Sequence, residues 1–81
     1  MIRKVIDYIK EDDFEVRIDS KYINIINFIE VLFMEEEKIK INYSGGSLLI
    51  KGNNLTVLKL LDKEMLVKGN FLSVEFRRDY E

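Results

Sequence analysis

Two hydrophobic periods divide the chain. Near the N-terminus apolar residues recur at helical spacing, as Ile2, Val5, Ile6 and Ile9, with Arg3, Lys4, Asp7 and Lys10 on the other side. This predicts a short amphipathic helix over residues 1–12, closed by the acidic cluster Glu11, Asp12 and Asp13. A helix of about ten residues is marginal alone and needs a surface to pack against. That surface is the chain's own domain, a partner or, less favourably given the mixed charge of the polar face, a membrane.

From Phe14 the period becomes two, the signature of half-buried strands. Phe14, Val16 and Ile18 alternate with Glu15 and Arg17, and Tyr22 to Ile26 continue the β-branched character after a turn at Asp19-Ser20-Lys21. Ile29, Val31 and Phe33 alternate with Glu30, Leu32 and Met34. Glu35-Glu36-Glu37 reads as a charged turn before Ile39, Ile41 and Tyr43. Ser44-Gly45-Gly46 is the strongest local turn signal, because glycine reaches positive φ without steric cost. Further strands are predicted at Leu48 to Lys51, Leu55 to Leu60, Met65 to Lys68 and Leu72 to Phe76, with breaks at Gly52-Asn53-Asn54, Leu61-Asp62-Lys63 and Gly69-Asn70. About seven to eight short strands with brief connections predict an antiparallel all-β domain over residues 13–78, a small β-sandwich, followed by a frayed tail over 79–81. One alternative stands beside it. LLIKGNNLTVLKL and MLVKGNFLSVEF repeat with an offset of 17 residues, a period compatible with a short β-solenoid.

Composition narrows the chemistry. The 81 residues include no Cys, His, Trp or Pro. Disulfides, thiol or histidine catalysis and the usual zinc ligand sets are therefore excluded. A domain of this size buries about 60–65% of its unfolded surface, so a large catalytic cleft would compete with the core. The expectation is a protein that is not an enzyme and carries no cofactor. Serine and threonine hydroxyls lack a histidine to activate them, and no Ser-x-x-Lys spacing occurs. Asp12-Asp13 and Glu35-Glu36-Glu37 read as solvated surface features, without the alternating oxygen ligands and glycine of a calcium loop. Gly45-Gly46-Ser47 is followed by a strand and reads as a turn, whereas a phosphate loop needs a helix there. No apolar run approaches the length of a membrane span, and the N-terminus lacks the features of a secretory signal.

Thirteen basic and fifteen acidic residues give a net charge of −2, which leaves no electrostatic footprint for nucleic acid. A small β-barrel binding single strands is the alternative reading, with Tyr22, Tyr43 and Phe71 for stacking and Lys38, Lys40, Lys51, Lys59 and Lys68 as cations. Those lysines also fit a solvent face that protects strand edges. A more informative feature is an excess of apolar residues on faces that alternation assigns to water. Leu32 and Met34 oppose Val31 and Phe33, and Leu58 and Leu60 oppose Leu55 and Val57. Leu49, Leu66 and Phe71 fall on such faces as well. Either the helix covers them or they form a docking surface, for which Leu32, Met34, Leu58, Leu60 and Phe71 are the candidates.

The order of these segments resembles the YabP/YqfC family of small sporulation proteins, closer to the YqfC branch. The resemblance runs from about Phe14 to Phe76. It is carried by GGSLLIKGNNLTVLKL, an acidic position at Glu64, and MLVKGNFLSVEF. Gly46, Leu48, Ile50, Gly52, Leu55, Val57, Glu64, Val67, Gly69 and Phe76 occupy the family's pattern positions. Phe28-Ile29 depart from it, where the family often has glycine, and the N-terminal segment lacks the basic leader common in YqfC proteins. The resemblance implies a β-sandwich-like domain of the mother-cell cytoplasm, peripheral to the membrane, with an integral membrane partner of the YqfD or YabQ type. It implies no catalytic residue. The expected function is a non-enzymatic adaptor docking on that partner, with a homo-oligomer also possible and no nucleic acid expected.

Overall fold

The computed structural model describes residues 13–79, so the predicted N-terminal helix lies outside the described residues, as do Tyr80 and Glu81. The described chain forms six strands: β1 (Glu15–Ile18), β2 (Tyr22–Ile26), β3 (Glu30–Met34), β4 (Lys38–Tyr43), β5 (Gly46–Leu60) and β6 (Glu64–Arg78). All pair antiparallel in one open sheet of order β1-β2-β6-β5-β4-β3. Three expectations are corrected by this. There are six strands, fewer than the seven to eight expected. There is one sheet, without the separate second layer of a sandwich. A solenoid is excluded, because its rungs stack in parallel whereas every pairing here is antiparallel.

The strand count differs because two predicted breaks lie inside strands. Gly52-Asn53-Asn54 and Gly69-Asn70 are interior to β5 and β6, each 15 residues long. The 17-residue repeat is thereby explained. Its two copies are the long strands themselves, which pair in reverse so that Asn53 faces Asn70 and Gly52 faces Phe71. Each strand interrupts its regular ladder at the level where the other does, and the register shifts there between Lys51 and Gly52 and between Asn53 and Thr56. Bulges of this kind bend a strand and increase its twist.

The repeat extends to the outer strands. The first half of β6 pairs with the β1–β2 hairpin, and the first half of β5 pairs with the β3–β4 hairpin. Both hairpin turns close alike: Asp19 N–H donates to Tyr22 O, and Glu35 N–H donates to Lys38 O. Each turn also accepts from a glycine of its long strand, Lys21 O from Gly69 N–H and Glu37 O from Gly52 N–H. Asp19 further caps its own turn, its Oδ1 accepting from the amides of Lys21 and Tyr22 at 3.0 and 2.8 Å.

One face of the sheet carries the core. Across the strands run two matching pairs of rows: Val16-Ile25-Met65-Leu60 with Ile18-Ile23-Val67-Val57, and Val31-Ile41-Leu48-Phe76 with Met34-Ile39-Ile50-Val74. Their centres, Ile23, Ile25, Met65 and Val67 in one half and Ile39, Ile41, Leu48 and Ile50 in the other, are fully buried in one cluster with Phe28 and Leu55. The sheet curls to bring the halves together. Phe14, just before the edge strand β1, stacks on Tyr43 of β4 with ring centroids 3.9 Å apart. In a flat sheet four strand spacings would hold those strands about 19 Å apart.

Candidate functional site

The register decides where the apolar surplus goes. In β3 it shifts between Val31 and Phe33, skipping Leu32. In β5 it shifts between Val57 and Lys59, skipping Leu58, and in β6 it steps from Phe71 to Ser73, skipping Leu72. These three leucines face solvent, exposed by 45, 51 and 73% respectively, whereas Leu55, skipped with Asn54 between Asn53 and Thr56, is buried. A skipped residue has no cross-strand partner to cover it, so it stays in water unless, like Leu55, it turns into the core.

The same shifts separate residues that alternation had placed together. Met34 pairs with buried Ile39 and Leu60 with buried Met65, so both lie on the core face, at its open margins, and stay about half exposed. Phe33 pairs with Lys40 and so turns to the outer face. Thus Leu32 and Met34 do not form one stripe, nor do Leu58 and Leu60. Phe71 packs against the core over Gly52. Leu49 and Leu66 lie half-buried on the outer face beside Lys40 and Glu75, and beside Asn24 and Lys59.

The open margins follow from strand length. β6 is flanked by β2 only from Glu64 to Lys68, and β5 by β4 only from Gly46 to Lys51. The amides of Gly52 and Leu55 still find Glu37 O and Glu36 O, a backbone latch that the acidic turn's composition did not announce. Past Leu55, no strand covers that side of β5 among the described residues. On the paired side of β5, across β6 toward the β1–β2 turn, lies an open concavity of about 400 Å³ lined by Lys21, Asn54, Thr56, Leu58, Lys68, Gly69 and Asn70. Its signal in the sequence was the duplicated Lys-Gly-Asn, which reads as two turns.

Nothing resembling a catalytic constellation is assembled from the candidates. Ser73 donates to Glu75 at 3.3 Å, and Glu75 holds Lys51 at 3.3 Å, with both charged side chains open to solvent. Lys59 pairs with Glu64 at 3.4 Å, and Asn24 also donates to Glu64. Asn24 Oδ1 is buried without a hydrogen-bond partner. Arg17 is raised above its usual pKa by its hydrogen bond to Glu15 and the attraction of that carboxylate. Among the described residues no cluster of acidic side chains is placed to hold a metal ion, and no helix is long and apolar enough to cross a membrane. Of the aromatic and basic residues considered for base stacking, Tyr43 stacks on Phe14, Phe71 packs on the core and Lys51 is ion-paired, while Tyr22 and Lys68 are cross-strand neighbours.

No curated protein and no solved structure shows significant similarity to the chain. A family profile does: that of the YabP family matches residues 13–81. The match spans every strand of the sheet, including both copies of the Lys-Gly-Asn element around which it bends. The chain therefore belongs to the YabP family, a membership that points to a role in sporulation.

Proposed function

We propose that the protein is a non-enzymatic adaptor of spore formation, which docks its β-domain on an integral membrane partner in the mother cell. The observation that carries this reading is the set of leucines turned into water by register shifts, Leu32, Leu58 and Leu72, next to strand edges that no neighbour covers among the described residues. A small domain gains little stability from three solvent-facing leucines, whereas a docking surface uses them. Met34 and Leu60, half exposed at the margins of the core face, offer apolar contact on the other side of the same edges. Open edges add backbone donors and acceptors, through which a partner strand can join the sheet.

The test is affinity purification of the tagged protein from detergent-solubilised sporulating cells. Recovery of one polytopic membrane protein, lost in the Leu58→Glu/Leu60→Glu variant with the fold intact, is the expected result. Unchanged recovery in that variant would remove these residues from the interface. Recovery of the protein alone would overturn the adaptor reading.

A further inference from the structure

The two halves of the sheet repeat one backbone plan with different charges. Lys51 of β5 and Lys68 of β6 hold equivalent places: Lys51 faces Lys38 and Ser73, and Lys68 faces Tyr22 and Thr56. Glu37 and Lys21 are equivalent as well, their carbonyls accepting from Gly52 and Gly69. Next to Lys51 stands Glu75, which faces Leu49 and holds the lysine at 3.3 Å. Next to Lys68 the matching place, facing Leu66, belongs to Lys59, which pairs with Glu64, and the bulge inserts Leu58 before it. One copy thus neutralises its own lysine. The other sets Lys68 in a concavity with Lys21 and Leu58.

No carboxylate lines that concavity. Asp19, in the same turn as Lys21, directs its side chain to the amides of Lys21 and Tyr22. Neither Lys21 nor Lys68 has an acidic partner among the described residues. Protection of a strand edge does not account for Lys68, since β6 is paired on both sides there. Two ammonium groups gathered at one site repel each other, and an anion between them turns that cost into attraction. The side-chain amides of Asn54 and Asn70 add donors at the same place. At about 400 Å³ the space exceeds what a bare oxyanion fills and falls within the roughly 300–1,000 Å³ of small-molecule sites. Leu58 supplies an apolar contact that only an organic group can use.

We propose that the concavity binds a small organic phosphate monoester. Its phosphate lies between Lys21 and Lys68, which act as point charges, and accepts from the amides of Asn54 and Asn70. Its organic part rests on Leu58. A phosphate monoester carries about −1.5 to −2 charges at neutral pH, a match for two lysines. The inference goes beyond the adaptor reading and does not depend on it.

The probe is phenyl phosphate, titrated into the full chain and followed by amide chemical shifts, with inorganic phosphate and phenol as comparisons. Saturable shifts are expected at Lys21, Asn54, Thr56, Lys68 and Asn70, with weaker binding of inorganic phosphate and none of phenol. Affinity should fall about tenfold in the Lys21→Gln/Lys68→Gln variant and stay unchanged in Lys38→Gln/Lys51→Gln, which alters the equivalent place in the other copy. All four lysines lie at the surface or nearly so, so both variants should keep the parent circular dichroism. Equal losses in the two variants, indifference to the first, unsaturable shifts spread over every lysine, or inorganic phosphate binding as tightly as phenyl phosphate would each overturn the proposal. Phosphatidylcholine vesicles carrying phosphatidic acid or phosphatidylglycerol then identify the source of the phosphate. Sedimentation with phosphatidic acid alone, lost in the first variant, assigns a lipid headgroup. Sedimentation with neither assigns a soluble ligand. Equal sedimentation with both, unaffected by that variant, shows a diffuse charge effect and overturns the site. Because binding is read on the chain alone, failure here leaves the adaptor reading untouched.

Discussion

Replacing Gly52 by alanine tests the account of how the long hairpin bends. A Cβ built at Gly52 falls 2.3 Å from Asn70 O and 3.0 Å from Leu55 Cδ2. The nearer atom is backbone, held in the β5–β6 pairing, so the clash can be relieved only by parting the two strands. Overpacking of this kind costs about 1–3 kcal/mol, and a backbone obstacle at that distance puts it near the top of the range. Gly52 does not have positive φ, so alanine also recovers about 0.4–1 kcal/mol by restricting the unfolded chain. The net expectation is a loss of about 2 kcal/mol. Gly69 occupies the matching place in β6, but a Cβ there first meets Leu55 Cδ2 at 2.8 Å, the end of a flexible side chain, with backbone no closer than 3.1 Å. Gly69→Ala is therefore expected to cost less than about 1 kcal/mol. A domain of this length has a total stability of about 4–12 kcal/mol, so the difference is measurable by urea unfolding. With a slope near 1 kcal/mol/M, Gly52→Ala lowers the midpoint by about 2 M and Gly69→Ala by less than about 1 M. If Gly52→Ala unfolds within about 0.5 M of the parent, or Gly69→Ala proves the more damaging, the backbone contact with Asn70 does not set the bend.

Ile41→Ala removes a fully buried side chain from the centre of the core and should cost about 2–5 kcal/mol by thermal or urea unfolding; a loss below 1 kcal/mol would mean that the two halves are not packed together. Asn24→Val removes the buried Oδ1 that finds no donor, leaves Lys59 on Glu64 and suits a strand better. It should stabilise by about 0.5–1.5 kcal/mol, and destabilisation of that size would show that the Asn24–Glu64 bond matters more. Leu58→Glu/Leu60→Glu alters side chains already about half exposed, so circular dichroism should be unchanged and the midpoint should fall by only about 1 M. Unfolding of that variant would place both leucines in the core.

Local alternation was enough to determine that the chain from about residue 14 to 78 is built of strands, that Ile39, Ile41, Leu48, Ile50, Met65 and Val67 turn inward, and that Asp19-Ser20-Lys21, Glu35-Glu36-Glu37, Ser44-Gly45 and Leu61-Asp62-Lys63 are turns. These follow from side chains pointing alternately to opposite faces and from the conformations that Gly, Asp and Asn tolerate. Strand number was not legible in the same way. Gly52-Asn53 and Gly69-Asn70 have the local preferences of turns, but each lies opposite the other on a long partner strand, and pairing holds both extended. The assignment of faces to Leu32, Met34, Leu58 and Leu60 failed for a related reason. One skipped residue reverses the phase of everything after it, and a skip is a relation between two strands that neither encodes alone. Leu58 lines the concavity only because a register shift leaves it unpaired and Lys21 and Lys68 arrive from β2's turn and from β6. The sequence carried the family and the inward face of the regularly alternating stretches; pairing between distant segments decided the faces beyond each register shift and which apolar residues remain in water.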